Sequence, residues 1–454
     1  MRSRLTLYIV IAVVVVLAVV GVAVAVAGAG STANLPAISA SDLLAKMAQA
    51  KGTVTSVSGE ISWKNGLFGE LSSAGGIGGG NGMPAQSPLL ASGSGRIWVS
   101  EDGVRVESQG GGGDQVAGVD KASQQAWTYD SSTDTAKVWK LTGDLPAEAQ
   151  TPMPSPSMMT PATITAVLEQ LAPYARVDVA GQGTVAGRPV YLLRMTPAAT
   201  DTALGAVQAS IDGETMLPLR LEVFSASGGP AVLQSGFDSI SYGAVDPSLY
   251  AFTPPSGAKV TTKSYDAAEL QKKMQEQQGA VPQGDKAGTE DQHKALARTA
   301  LLTVPEVQKL VDFQVASAQG YTARPFQWGY VFLDGLPVNA AGNPLFDLAK
   351  MGLGEAAGTG ASADAAKMGP VSVLLYGKGF GSIVLAQTKT TPELDKQLKQ
   401  LPALVGTATL NGAPVRSLTT ALGGVYIWQQ GDTTLVAAGM VPAADLQAFA
   451  ESVQ

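Results

Sequence analysis

The sequence has no cysteine and a single histidine, and these two scarcities exclude several classes of function. Without cysteine the chain makes no disulfide, no thiolate metal site, no cysteine nucleophile and no lipid-modified lipobox. The one histidine, His293, lies in a polar stretch, where a solvated helix position is the simplest explanation. Ser-His-Asp triads, histidine metal sites and histidine acid–base chemistry therefore lack their usual residue. The sequence predicts a protein that is not an enzyme and that uses no metal or cofactor.

Positive charge is also scarce. The chain has 30 Lys and Arg against 37 Asp and Glu, which gives a formal net charge of -7. A nucleic-acid partner normally requires a basic stripe that neutralises phosphates, and the sequence shows none. We therefore expect no nucleic-acid partner.

The N-terminus carries a long apolar run. Arg2 and Arg4 form a short basic region, and the residues from Leu5 to Gly30 have no charge. The run is long enough to cross the roughly 30 Å hydrocarbon layer and exceeds the roughly 7 to 15 apolar residues of an ordinary signal peptide. Residues 1–30 are predicted to be an uncleaved signal anchor or a cleaved signal peptide. The rest of the chain is then extracytoplasmic, tethered by a single pass to the cell membrane, or secreted or periplasmic if the signal is cleaved.

Two folded regions and a joint are predicted after this segment. The regions are 39–263 and 304–454, and the joint at 264–303 is a polar flexible linker rich in Gln, Lys and Glu and interrupted by glycines. Two further stretches, 69–95 and 144–163, have the Gly-rich and Pro-rich compositions of loops.

The first region has the pattern of a large antiparallel sheet. An amphipathic helix at 41–50 precedes residues that alternate with period two, and a second helix is predicted at 163–174. Ile97 and Val99 face Val104 and Val106 across an Asp102-Gly103 turn. Further strands are expected at 184–196, 206–212, 217–225 and 233–243. Since two helices offer little surface to cover such a sheet, the pattern leaves open a packed core and a cavity under a helical lid.

Several segments of this region resemble the LolA-type periplasmic lipoprotein carriers. "VDPSLYAFTPPSGAKV" is similar to the family's C-terminal signature, with Tyr250, Phe252 and Gly257 in matching positions. "QQAWTYDSSTDTAKVW" is similar to its tryptophan-containing hairpin, and "GTVAGRPVYLLRMTP" and "DGETMLPLRLEVF" to its later strands. The resemblance implies an incomplete antiparallel β-barrel, closed by helices, whose concave apolar face holds acyl chains.

The sequence departs from the carriers at one functional position. Carriers have Arg-Pro just after the "Leu-Trp-Val" strand, whereas this chain has Glu101 and Asp102 there, so no gating residue is carried over. The long N-terminal segment is a second departure, because a shuttle must diffuse between membranes. RseB-type regulators share the fold and add a smaller C-terminal domain, which makes a regulatory sensor that binds an anti-sigma-type membrane partner the alternative.

The region 304–454 has the pattern of a smaller antiparallel α+β domain. It contains a hairpin signal at Asn411-Gly412, two strands joined around Gly377 to Gly381, and a closing helix begun by Pro442. "YGKGFGS" lacks the spacing of a phosphate-binding loop, so a hairpin turn is predicted there. We expect an accessory domain.

The predicted fold class is therefore α+β: a transmembrane helix, a curved antiparallel half-barrel with a helical lid, and a smaller α+β domain. The predicted function is binding of a lipid or lipoprotein acyl chain, in envelope lipid or lipoprotein trafficking at the membrane. The candidate cavity lining comprises aliphatic residues of one face together with the first helix: Leu43, Leu44, Met47, Ile97, Val99, Val104, Val106, Leu217, Leu219, Leu221 and Val223.

Overall fold

A computed structural model describes ten stretches of the chain. They are residues 35–50, 54–67, 92–110, 113–143, 168–169, 171–266, 301–333, 336–338, 369–399 and 406–454. These described residues divide into two compact units. The first unit holds 35–198 and 205–266, and the second holds 199–204 together with 301–454.

The first unit is built mainly of strands. It opens with helix α1 at Ala40–Ala50. Its strands are β1 (Val57–Asn65), β2 (Gly93–Ser100), β3 (Gly103–Gly110), β4 (Gly113–Asp120), β5 (Gln125–Asp130), β6 (Thr135–Thr142), β7 (Ala175–Val185), β8 (Arg188–Pro197), β9 (Leu204–Asp212), β10 (Pro218–Ser225), β11 (Leu233–Ser241) and β12 (Lys259–Asp266). A 3₁₀ turn at Pro247–Tyr250 precedes the last strand.

These strands form one open sheet in the described part of the chain. Its order is β12-β6-β5-β4-β3-β2-β1-β11-β10-β9-β8-β7. The hairpins are antiparallel, while β12 runs parallel to β6. The predicted large antiparallel sheet is thus confirmed, with one parallel edge strand that the sequence did not indicate. Strands β1, β4 and β7 were also missed, and β12 extends into the predicted linker as far as Asp266.

Turn chemistry fixes the register of the predicted hairpins. In β2 and β3, Ile97 lies opposite Val106 and Val99 opposite Val104, as the sequence predicts. In β5 and β6, Trp127 lies opposite Val138. Because the side-chain period of a strand is two, these pairings decide which residues share a face of the sheet.

The second unit holds a smaller sheet with helices. Its elements are α2 (Val304–Gln308), β13 (Phe326–Leu333), β14 (Leu336–Val338), β15 (Val371–Tyr376), β16 (Ile383–Lys389), α3 (Pro392–Lys399), β17 (Gly406–Leu410), β18 (Ala413–Thr420), β19 (Gly423–Gln430), β20 (Thr433–Gly439) and α4 (Ala443–Glu451). The described strands pair in the order β14-β13-β15-β16-β20-β19-β18-β17. The predicted Asn411-Gly412 turn is confirmed, with φ of 48° and 82° at its two residues.

The core of the second unit lies between one face of this sheet and helices α2 and α4. Leu374, Ile383, Leu385, Leu435 and Phe449 are fully buried there. The predicted hairpin turn after Tyr376 is confirmed, because β15 and β16 pair antiparallel on either side of it.

Some predictions fall on residues that the structure does not describe. The N-terminal segment 1–30, most of the linker and most of the helix predicted at 163–174 lie outside the described residues, and of that helix only positions 168, 169 and 171 are seen in helical conformation. Among the helices that the structure does describe, none is both long and apolar enough to cross a bilayer.

Candidate functional site

One face of strands β2 to β5 is covered by the chain itself. Trp127 is almost fully buried, its Nε1 donates a hydrogen bond to the carbonyl oxygen of Tyr250 at 3.0 Å, and its ring stacks on Phe252. Arg105 extends this cover, because its guanidinium lies over the Trp127 ring and donates to the carbonyl oxygen of Leu249 at 3.0 Å. The segment after the 3₁₀ turn therefore closes this face.

The opposite face of the same strands carries a row of apolar side chains. Directly opposed residues of antiparallel strands point to the same side of a sheet. The pairings align one residue from each of β1 to β6 in this way: Val57, Val99, Val104, Val119, Ala126 and Trp139. We call these six residues the valine row.

The valine row is not fully covered by protein. Val119 is 43% exposed, and the other five members are partly exposed. An antiparallel sheet normally leaves a face in water only where that face is polar. The valine row is instead apolar along its length, so burying it would release free energy.

A buried cluster adjoins the valine row. Ile61, Ile97, Leu219 and Phe237 are its buried centre, and half-buried apolar residues surround them. The structure therefore brings five of the predicted lining residues together: Ile97, Val99, Val106, Leu217 and Leu219. Leu219 is fully buried, so it packs inside the cluster and has no surface to offer a ligand.

The other six predicted lining residues lie outside this cluster. Leu43 and Met47 of α1 pack with Tyr191 and Ile211, in a separate cluster. Leu44 is half-buried on the same helix. Val104 belongs to the valine row, whereas Leu221 and Val223 of β10 are half-buried and lie opposite Ser235 and Leu233 of β11.

Two glycines on the same face allow neighbouring strands to approach closely. A Cβ at Gly59 would overlap the carbonyl oxygen of Ser239, and one at Gly95 would overlap that of Glu107. Gly59 lies opposite Ile97 and Gly95 opposite Ile61, so both glycines share the face of the buried cluster. Glycine within strands often marks such tight bends.

An ionic network lies at the turn after β9. Asp212 is fully buried and accepts a short, charge-assisted hydrogen bond from Arg188, which also pairs with Glu214 at 2.8 Å. Burial acts to raise the pKa of the Asp212 carboxyl, but hydrogen bonds from Arg188 and from the backbone N–H groups of Thr215 and Glu214 outweigh it and hold that pKa below its usual range. These contacts hold the Asp212 carboxylate ionised and tie Arg188 to the turn between β9 and β10.

Metal-ligating side chains are not clustered in the described residues. Within them, no group of three His, Cys, Asp or Glu side chains is arranged to hold a metal ion. His293 lies outside the residues that the structure describes.

Only Val99 and Val104 of the valine row were predicted from the sequence as lining residues. The other four members were not predicted. The signal was present, because "VSGEISW" and "QVAGV" both alternate with period two. Aligning residues of six strands into one row required the registers of their five pairings, which only the structure provides.

Comparisons with known proteins give structural likenesses at low identity. No protein-family profile matches the chain, and no curated protein matches its sequence. The MucA/MucB complex of Pseudomonas aeruginosa is 16% identical with a TM-score of 0.32, covering 91% of this chain and 98% of that chain. A LolA superfamily protein from Nitrosomonas europaea is 10% identical with a TM-score of 0.18, covering 48% of this chain and 99% of that one.

A third similar structure is an uncharacterized conserved protein from Thermus thermophilus. It is 10% identical with a TM-score of 0.27, covering 49% of this chain and 99% of that chain. The chain is thus similar in structure to MucB and to LolA-superfamily proteins, and its sequence segments resemble the LolA-type carriers.

Proposed function

We propose that the first unit binds an acyl chain of a lipid or lipoprotein along the valine row, on the outer side of the cytoplasmic membrane. The observation that supports this proposal is the contrast between the two faces of β2 to β5. One face is closed by the chain's own Tyr250 and Phe252, while the other presents Val119 at 43% exposure in a continuous apolar row.

The dimensions of the row suit one extended hydrocarbon chain. Strands lie about 4.8 Å apart, so a row across six of them spans about 24 Å. One leaflet of a bilayer has about 15 Å of hydrocarbon, half of the roughly 30 Å core. An acyl chain of about 15 Å that crosses the strands can therefore contact about four of the six members of the row at once, and each buried methylene contributes about 0.8 kcal/mol.

In this proposal the open sheet is the wall of a half-barrel. Gly59 and Gly95 permit the close strand approach that curvature requires, and they lie on the face of the buried cluster. Helix α1 packs against Tyr191 and Ile211, so its Leu43 and Met47 support the β8 and β9 end of the wall. Residues 1–30 supply export or membrane attachment, and N-terminal sequencing of the protein taken from cells distinguishes these two roles.

Site-specific photocrosslinking tests the proposal in the full chain within its own membrane. A photoreactive phenylalanine derivative replaces Val119 in one variant and Val260 in the other, in cells fed an alkyne-bearing fatty acid. Val260 is the matched control, because it is 47% exposed on the edge strand β12 and lies outside the row. We expect alkyne-labelled adducts from position 119 and few from position 260.

Equal labelling at the two positions would contradict the acyl-chain proposal. An adduct of one defined protein at position 119, without alkyne label, would instead favour the sensor that binds an anti-sigma-type membrane partner.

A further inference from the structure

The sheet of the second unit has an apolar face that the proposed function does not use. Helices α2 and α4 pack on the other face, where Leu385, Ala437 and Tyr426 lie opposite one another and are buried. Because the side-chain period of a strand is two, the next residue of each strand points to the first face. The pairings align one apolar residue from each of six strands there: Trp328, Leu375, Val384, Ala438, Val425 and Leu418.

These six side chains remain in contact with water. Each of them is partly exposed, whereas Leu385 and Ala437 on the other face have no exposed surface. Covering such a set of apolar side chains releases free energy, because it removes hydrocarbon surface from water.

A groove of ≈ 520 Å³ lies over four of the six residues. Its volume is within the range of about 300 to 1,000 Å³ that is usual for small-ligand sites. Ala438 at the middle of the floor is small, and Gly423 of β19, with φ of 131°, has no side chain to fill the space. The four floor residues pair in sequence across β16, β20, β19 and β18: Val384, Ala438, Val425 and Leu418.

Two turns at the same end of the sheet limit the groove. Phe380 lies in the 3₁₀ turn Gly379–Gly381 between β15 and β16, and Leu422 lies in the turn between β18 and β19. Three strand spacings, about 14 Å, separate the two turns in the order of the sheet. The two side chains take up part of this distance, so the space between them is narrower than an α-helix, which is about 10–12 Å wide with its side chains. A partner helix therefore does not fit between them.

The chemistry of the lining favours hydrocarbon. None of the described residues that line the groove carries a charge, and their hydroxyl groups are those of Ser382 and Thr420. The Thr420 hydroxyl already donates a hydrogen bond to the carbonyl oxygen of Gly423 and accepts one from the N–H of Leu422. An extended peptide would bury backbone N–H and C=O groups here with few partners, which is costly. A hydrocarbon chain has no such groups to satisfy.

We propose that this groove binds one acyl chain of a membrane lipid. The chain lies over Ala438, between Phe380 and Leu422, and the head group stays in water because the described lining has no charge to pair with it. Met440, which is 39% exposed at the groove, adds apolar surface. The described lining belongs to the second unit, so this proposal does not rest on acyl binding along the valine row.

Photolabelling of the full chain in lipid vesicles tests this site. The vesicles are phosphatidylcholine with a small fraction of a phosphatidylcholine that carries a diazirine and an alkyne on one acyl chain. A second set of vesicles carries both groups on the lipid head instead. Mass spectrometry of the digested protein locates the alkyne-labelled adducts. We expect adducts from the acyl-chain probe in the segments 379–384 and 418–425, and few from the head-group probe.

Variants assign the adducts to the groove. Val425→Asp places a carboxylate on the floor, where hydrocarbon would displace its hydration, so the adduct yield in these segments should fall at least about tenfold. Val373→Asp is the matched control, because Val373 of β15 is also partly exposed on the same face but does not line the groove. Ala438→Phe fills the groove without adding charge and should reduce the yield as Val425→Asp does. Val119→Asp in the first unit should leave these adducts unchanged.

Any of four results would overturn the proposal. No adduct in these segments, or equal adducts from the head-group probe, would show that no acyl chain enters the groove. Equal loss in Val373→Asp would show that the whole face meets the bilayer. Unchanged adducts in Ala438→Phe, with protease resistance equal to that of the parent, would place the acyl chain outside the groove. Loss of the adducts in Val119→Asp would make the site dependent on the valine row.

Discussion

The rings of Trp127 and Phe252 stack with centroids 4.3 Å apart and planes inclined by 9°. This contact joins β5, the third strand from one edge of the sheet, to the segment that follows β11. It closes one face of β2 to β5 and leaves the valine row on the other. The stacked pair thus decides which of the two faces of β2 to β5 stays available for binding.

Loss of the stacked ring should destabilise the first unit. Phe252→Ala removes the aromatic partner of a buried indole, and we expect the free energy of unfolding to fall by about 2 kcal/mol. Chemical denaturation followed by tryptophan fluorescence measures this. Tyr265→Ala is the control, because Tyr265 is 42% exposed and its loss should have little effect. An equal effect from both variants would contradict the importance of the stack.

Two glycine substitutions should differ in how well the fold tolerates them. Gly95→Ala places a methyl group into the carbonyl oxygen of Glu107, so we expect destabilisation by about 2 kcal/mol. Gly183→Ala places its methyl at ordinary contact distance, 3.7 Å from Leu192 and Val190, and should be tolerated. Thermal unfolding of both variants provides the comparison. A Gly95→Ala protein as stable as the parent would contradict the close approach of β2 and β3 at this face.

An acidic side chain in the valine row should reduce acyl binding without unfolding the protein. Because Val119 is 43% exposed, Val119→Asp should change the free energy of unfolding by less than about 0.5 kcal/mol. The charge would nevertheless face the hydrocarbon, so recovery of alkyne-labelled lipid by crosslinking from a neighbouring row position should fall severalfold. Val260→Asp makes the same chemical change at 47% exposure outside the row and should leave recovery unchanged.

A charge at Leu219 should have the opposite consequence. Leu219 has no exposed surface, and Leu219→Glu would bury an unpaired carboxylate at the centre of the cluster. We expect the first unit to unfold, with loss of protease resistance. A folded Leu219→Glu protein would show that the space beside this residue is open.

The pair Arg188 and Asp212 should make stability depend on pH in the acid range. The pKa of Asp212 is lower in the folded protein than its ordinary value, so its contribution is fully present above about pH 4 and is lost as pH falls through the folded pKa. Arg188→Gln should lower the free energy of unfolding near pH 7 by about 3 kcal/mol and flatten its dependence below about pH 4. Denaturant titrations across the acid and neutral range measure both effects. Arg176→Gln, which alters an exposed pair, should keep the parental pH profile.

The turn residues and the alternation of apolar with polar side chains were enough to predict the hairpins, which depend on residues that are neighbours in sequence. The Asp102-Gly103 and Asn411-Gly412 turns determine their hairpins locally, and so the pairing of Val99 with Val104 followed from a few residues. The strand β12 could not be predicted in this way. Its partner β6 is parallel to it and distant in sequence, and all of its residues are exposed, so its pattern shows no buried face.

The sequence by itself determined that the protein is rich in antiparallel strands, has no cysteine and one histidine, and has an apolar face on β2 and β3. Only the tertiary structure decided which face is covered, because the hydrogen bond from Trp127 to Tyr250 joins residues 123 positions apart. It also decided that Leu219 is buried and that α1 packs on Tyr191. Side-chain direction follows from local strand geometry, whereas burial and pairing follow from segments that meet only when the chain has folded.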